Sequence, residues 1–188
     1  MTVRSTDHES LEPFVSGLTV RHPRPSDHAA LQGALTDWWG GMGGEAGAQQ
    51  RRLLVPRLFL QHFAGTSLLV EEPDPAGTRG GAALRAFLIG FLSQTDPDTA
   101  YIHFVGVHPE AQRGGLGSAL YQRFFDLVRE HGRSRVRSIT SPVNRNSIAY
   151  HTRMGFRIEA GDRTEDGVEV HTDYDGPGLD RVSFVREL

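Results

Sequence analysis

The chain has no cysteine and no lysine. Without cysteine there are no disulfides, no thiol nucleophile and no thiolate metal site. Without lysine the Gly-Lys-Ser/Thr of a Walker-type phosphate loop cannot be built. All 20 basic residues are arginine, a usage that fits a GC-rich bacterial genome. No apolar run is long enough to cross a membrane, and the polar, proline-containing start does not read as a signal peptide, so a cytoplasmic location is expected. A formal net charge of −3 gives no broad attraction for nucleic acid or an anionic membrane. His22, His28, His62, His108 and His171 show no H-E-x-x-H spacing, and no metal is expected. What remains is 188 residues with 38% apolar and 23% charged content, the profile of one globular domain.

What is present is concentrated in Ala100–Leu120, AYIHFVGVHPEAQRGGLGSAL. A β-branched apolar run, Ile102–Val107, stops at His108-Pro109. A glycine-rich turn follows, Gln112-Arg113-Gly114-Gly115-Leu116-Gly117, and then a helix-period segment from Ser118 to His131. A strand, a glycine turn and a helix N-terminus in succession expose several backbone N–H groups, to which the helix dipole adds positive potential. Glycine lets a phosphate approach the backbone closely. The segment reads as a pyrophosphate cradle, and an anionic cofactor is the leading expectation. A dinucleotide fingerprint, G-x-G-x-x-G/A, fails at Leu120, and no strand-end acid follows about twenty residues on.

Along the chain, residues 1–17 read as a flexible N-terminal arm and residues 18–188 as a single domain. Pattern and punctuation predict strands at 18–21, 67–70, 84–92, 101–107, 136–141 and 156–160, and a last pair at 168–174 and 181–185 joined by Asp175-Gly176-Pro177-Gly178. Helices are predicted from Ser26 or Asp27 as cap through Trp38, over 49–63, over 116–131 and over 146–154. In the second of these, Leu53, Leu54, Leu58 and Phe63 are expected inward, with Pro56 kinking the helix or starting its second half.

Gln112-x-x-Gly115-x-Gly117, preceded by strand-His108-Pro109-Glu110 and followed by an amphipathic helix, resembles the pyrophosphate loop of the GNAT superfamily of acetyl-CoA-dependent N-acetyltransferases. The resemblance covers about residues 18–188 and is strongest at 100–157. It implies an α/β (α+β) fold, with a mixed, mostly antiparallel sheet splayed at the cofactor cleft and about four flanking helices. It also implies an acyltransferase that moves an acetyl group from acetyl-CoA to a small-molecule or peptide amine by direct attack. In that family Val105, Gly106 and Val107 would hydrogen-bond the pantetheine arm and polarise the thioester. Gln112, Arg113, Gly114, Gly115, Leu116, Gly117 and Ser118 would hold the pyrophosphate. Trp38 and Trp39, followed by Gly40–Gly44, fall where the family's first two helices cover the acceptor. Apart from the resemblance, Asp173–Gly178 reads as turn chemistry, and a loop there could also close the acceptor site or meet the partner of a homodimer. A non-catalytic acyl-CoA-binding module with the same cradle is the alternative reading, and thioester turnover separates the two.

The segment from Pro142 to Phe156 resembles the family's second signature. Counted back from Gly155-Phe156, the signature asparagine is Asn144 and its small residue Ser147, both expected along the pantetheine. The tyrosine that protonates the leaving thiolate in the family falls at His151, with Tyr150 one residue earlier. An imidazole can donate that proton as well as a phenol can, so His151 is the expected acid and Tyr150 the second candidate. The glutamate that many relatives carry as base falls at Tyr101. Strand alternation puts Tyr101, His103, Val105 and Val107 on one face, which makes His103 the base candidate, directly or through water. The cradle reading is tested by Gly115→Asp and Gly117→Glu. Calorimetry should show micromolar binding of coenzyme A to the parent protein and none to either variant, with cooperative unfolding retained.

Overall fold

The computed structural model describes residues 11–15, 17–39, 41–77 and 81–188. In chain order the elements are β1 (Leu11–Val15), β2 (Leu18–Arg21), α1 (His28–Asp37), α2 (Gly44–Leu54), α3 (Leu58–His62), β3 (Leu68–Glu72), β4 (Ala83–Leu92), β5 (Thr99–Val107), α4 (Leu116–Glu130), β6 (Arg135–Thr140), α5 (Arg145–Arg153), β7 (Arg157–Ile158), β8 (Arg163–Glu165), β9 (Val168–Val170) and β10 (Val182–Glu187). Contacts gather them into two compact units. One runs up to Ile89 and adds Phe104–Leu120, and the other joins Gly90–His103 to Tyr121–Leu188. No linker separates them: the chain passes between units inside β4, inside β5 and inside α4.

In the first unit β1, β2, β3 and β4 pair antiparallel in sequence order. β1 falls in the stretch expected to be a loose arm. Its pairing with β2, Leu11↔Val20 and Val15↔Leu18, supplies it with backbone partners that polar composition does not announce. Against these strands packs a cluster of Leu31, Ala34 and Leu35 from α1, Val55, Leu60, Leu69, Phe87 and Ile89. Asp27, one of the two expected cap residues, stands at the N-cap of α1, but its side chain makes no capping bond to that helix. The Asp27 side chain accepts from the Arg24 N–H at 2.6 Å and pairs with both terminal nitrogens of Arg21, while Arg21 also holds Glu71 at 2.6 and 2.7 Å. Burial opposes the Asp27 charge, but the hydrogen bonds from Arg21 and Arg24 outweigh it and hold the carboxyl below its usual range. The expected helix over 49–63 is two helices. Pro56 lacks an N–H and pushes Val55 out of helical geometry, to φ −123° and ψ 67°. That break resets the helical phase. Val55 and Leu60 are buried, whereas Leu53, Leu54 and Leu58 are exposed.

In the second unit β6 pairs antiparallel with β10 from Thr140↔Val182 to Arg135↔Glu187, and β10 pairs with β7. β5 runs parallel to β6 over Thr99↔Arg135, Ala100↔Val136 and Tyr101↔Arg137. Past that register the Ser138 hydroxyl donates to the Ile102 carbonyl at 3.1 Å. The sheet is therefore mixed and mostly antiparallel, as expected. The last strands differ from expectation. β9 pairs with β8 across Asp166-Gly167, both at positive φ, the conformation that a two-residue Asp-Gly hairpin turn requires. A single bridge, His171↔Arg181, links the end of β9 toward β10. Phe124, Phe125 and Val128 of α4, with Val136, Phe156 and Phe184, are fully or almost fully buried.

Gly161 enters β8 where a Cβ would lie 2.2 Å from the Val170 carbonyl oxygen and 2.6 Å from two more of its backbone atoms. Backbone cannot yield as a side chain does. Gly161→Ala should destabilise by about 1–3 kcal/mol or more, the usual cost of overpacking, and urea unfolding reads it. An unchanged midpoint would mean that this hairpin is loosely held.

Candidate active site

The glycine turn belongs to the first unit. At the end of β5 the His108 N–H donates to the Arg85 carbonyl at 2.8 Å, and the His108 ring nitrogen Nδ1 accepts from the Glu110 N–H at 3.3 Å. Pro109–Ala111 forms one 3-10 turn. The Gln112 side chain bends back to the Val107 carbonyl at 3.4 Å, which ties the loop to the strand end. Gly115 sits at φ +76° with no atom within 4 Å of where a Cβ would stand, so the turn is open above it. The Ala119 N–H bonds the Gly115 carbonyl at 3.0 Å and starts the helical ladder. The N–H groups of Leu116, Gly117 and Ser118 precede it in the first turn and have no intrahelical acceptor. Gln112, Arg113, Gly114, Gly115 and Ser118 are exposed and Gly117 half-buried, while Leu116 is buried and anchors the turn. Neutral N–H donors, the helix dipole and an exposed guanidinium form a donor set that fits a pyrophosphate.

Val105 and Val107 are half-buried beside this turn, with Gly106 buried between them. A Cβ on Gly106 would meet the Phe87 ring at 2.5 Å and Trp39 at 3.1 Å, so the strand can pass there only as glycine. Trp39 lies against Phe104 at 5.7 Å, with the Arg51 guanidinium 5.9 Å from its ring centre. Trp38 packs on Phe87 and edge-on to His108. The two indoles thus sit at the margin of the first unit's core. Trp39 is the one that reaches the Gly106 backbone.

The second signature lies in the second unit. Asn144 is the N-cap of α5, and its side-chain oxygen Oδ1 accepts the Ser147 N–H at 3.2 Å. Its expected place along a pantetheine arm is therefore joined to a capping role. His151 is 6% exposed. Its ring stacks on Phe184 with centroids 4.6 Å apart and stands edge-on to Phe156 and Tyr121. Nδ1 lies 2.8 Å from the Ser147 carbonyl, an acceptor only, so Nδ1 carries the proton. Nε2 then accepts from the Tyr121 hydroxyl at 3.2 Å. Burial lowers the His151 pKa, although the Ser147 carbonyl opposes that shift. Both nitrogens are committed to neighbours and the ring is neutral. In this structure, then, both His151 nitrogens face groups of the second unit, the Ser147 carbonyl and the Tyr121 hydroxyl.

Tyr150 is half-buried, edge-on to Tyr121 at 5.3 Å, with the Arg153 guanidinium 5.0 Å from its ring centre. Tyr121 was not singled out by motif, because at its position on α4 it reads as one more apolar core residue. Only its burial against His151 marks it, and burial together with Tyr150 raises its pKa far above the usual value. On β5, His103 is half-buried and separated from Tyr101 by the buried Ile102, so the expected alternation holds. Tyr101 stacks on Phe91 at 5.4 Å, and burial foremost, then Tyr174 and Asp175, raises its pKa. Its hydroxyl stays protonated and serves as a donor rather than a base. Among the described residues no cluster of three or more metal-ligating side chains occurs, and no helix is long and apolar enough to cross a membrane.

Residues 33–156 match the family described as "Acetyltransferase (GNAT) family". An L-2,4-diaminobutyric acid acetyltransferase of Nocardia farcinica (strain IFM 10152) is 35% identical over 100 residues, which is 53% of this chain and 48% of that protein. The chain thus spans about half the length of this curated relative. Among solved structures, Ard1 from Thermoplasma volcanium superposes with a TM-score of 0.63 at 20% identity, covering 92% of this chain and 98% of that one. The GNAT superfamily phosphinothricin acetyltransferase of Sinorhizobium meliloti, solved in complex with AcCoA, gives 0.59 at 16% identity, covering 92% and 89%. At these identities the structural likeness carries the fold.

A buried neutral histidine makes a pH prediction. Because the folded-state pKa is lowered, the unfolded chain takes up the proton first on acidification. The contribution of His151 is full above its ordinary pKa of 6.5 and declines as pH falls below that value. Urea unfolding of the parent protein and of His151→Gln, from about pH 8 to about pH 5, should show midpoints that converge in acid. Parallel profiles would mean that the imidazole is not held neutral.

Proposed function

The chain belongs to the acetyltransferase (GNAT) family, and from that membership we propose that it transfers an acetyl group from acetyl-CoA to an amine by direct attack. The observation that carries the reading is the β5–turn–α4 junction, with its open Gly115 and three first-turn amides. Acetyl-CoA supplies the activated thioester. The amides of Leu116, Gly117 and Ser118, with Arg113, hold its pyrophosphate. The backbone of Val105–Val107 aligns the pantetheine arm and polarises the carbonyl. Ser147 lines that arm, with Asn144 fixing the start of α5. The acceptor amine loses its proton to His103, or to a water ordered by His103 and the Tyr101 hydroxyl, before its lone pair can attack.

The donor to the thiolate is Tyr150 rather than His151. His151 spends both nitrogens on Ser147 and Tyr121, and Tyr150 packs on the ring of that same Tyr121. His151 is a positioning residue in this reading. A screen of acetyl-CoA turnover against a panel of amines tests the function. With an accepted amine, Tyr150→Phe should lower kcat by roughly 10²–10⁴, the range for one general acid, with little change in acetyl-CoA affinity. The deficit should shrink as pH rises, because a thiolate needs no proton where solvent no longer supplies one. If His151→Gln carries that loss instead, while Tyr150→Phe is silent, the donor assignment fails.

A further inference from the structure

The second unit holds a cavity of about 210 Å³ lined by Phe91, Ser93, Thr95, Asp96, Thr99, Tyr101, Arg137, Tyr174 and Ser183. This is below the roughly 300–1,000 Å³ typical of pockets for drug-sized ligands, and it suits a small metabolite. Its walls carry both signs of charge. On one side the Asp96 carboxylate accepts from the Thr99 hydroxyl at 2.7 Å and the Asp98 N–H at 3.1 Å, with the Arg135 guanidinium, which an incoming ammonium would have to join or displace, 3.8 Å away. These bonds hold it below the usual carboxylate range, and it is ionised.

On the other side stands Arg137, set beside Tyr101 by the parallel register of β5 and β6. Its position is fixed from behind. Nη2 donates to one oxygen of Glu159 at 2.7 Å, and the other oxygen of Glu159 accepts from the buried Ser183 hydroxyl at 2.7 Å. A guanidinium has five N–H donors in a planar fork, so a bond to Glu159 leaves a face for a second carboxylate. The protonated Tyr101 hydroxyl adds a donor beside it. Tyr174, half exposed, stands at the rim.

We propose that this cavity holds the amino-acid head of a zwitterionic acceptor, with its carboxylate on Arg137 and Tyr101 and its ammonium on Asp96. The proposal rests on the acetyl-transfer reading for calling that molecule an acceptor. Ser183 and Glu159 are positioning residues for Arg137. A neutral amine or a simple diamine lacks the group that Arg137 would meet.

The test compares L-2,4-diaminobutyrate with 1,3-diaminopropane, the same diamine without its carboxylate, by calorimetric titration in the absence of acetyl-CoA. The parent protein should bind the amino acid about 10- to 100-fold more tightly, the range for one charge-assisted hydrogen-bond pair. Arg137→Gln should erase that preference, and Arg137→Lys, which keeps the charge without the fork, should restore part of it. Arg137 is exposed, and cooperative unfolding of each variant confirms that it folds. No binding of the amino acid, equal binding of both probes, or a preference that survives Arg137→Gln would overturn the proposal. A preference with no acetyl-CoA turnover on any amine supports the pocket and sinks the transferase reading. Turnover without the preference does the reverse.

Discussion

The parallel register between β5 and β6 lasts only from Thr99↔Arg135 to Tyr101↔Arg137, and the arrangement of the second unit hangs on that short contact. It sets an aromatic hydroxyl and a guanidinium side by side on one sheet face. Where it ends, a side chain takes over from the ladder: the Ser138 hydroxyl satisfies the Ile102 carbonyl. β6 is paired with β10 along its whole length. β5 runs on to Val107 beyond its register with β6. That continuation brings the backbone of Val105–Val107 to the glycine turn.

Two histidines at strand or helix ends show how burial decides chemistry. His108 closes β5, caps the following 3-10 turn through Nδ1 and meets Trp38 edge-on. Its work is to end the strand at a fixed place before the cradle. His151 lies inside the second unit, where a charged ring would lose its hydration with no counter-charge in return. The Ser147 carbonyl one helical turn back fixes its tautomer, and the tautomer makes Nε2 an acceptor for Tyr121. The hydroxyl of a buried tyrosine, costly to leave unpaired, is thereby satisfied.

Arginine carries all the basic charge, and the structure uses its fork where lysine would serve less well. Arg21 grips Asp27 with one edge and Glu71 with another, tying β2, β3 and the entrance to α1. These side chains are only partly exposed, so the network is screened less than a surface pair. Arg137 uses one donor for Glu159 and keeps the rest of its fork. Most other pairs, such as Arg145 with Asp166 or Arg163 with Glu165, lie at the surface, where an ion pair contributes about 0–1 kcal/mol.

Local rules made much of this protein legible. The His108-Pro109 stop, the glycines at 114, 115 and 117 and the period of α4 determine the open turn and the helix start, because turn and helix chemistry act over a few residues. The same holds for the helix end at Gly155, which stands at φ +84°. Proline at 56 was visible too, but its effect on helical phase was not, and so Leu53 and Leu58 were expected inside. β1, which carries Pro13, and β8, which is short and polar, escaped because each is made by its neighbour rather than by its own pattern. What only tertiary structure decided is which side chain faces what. The sequence offers His151 and Tyr150 one residue apart on a helix, about 100° apart in direction, and nothing local says which of them Phe184 will cover. Arg137 likewise reads as a solvated strand charge, and only the fold pairs it with Glu159, 22 residues away, which Ser183 on a different strand holds in turn. Burial and charge pairing are properties of what surrounds a residue, and the fold alone supplies the surroundings.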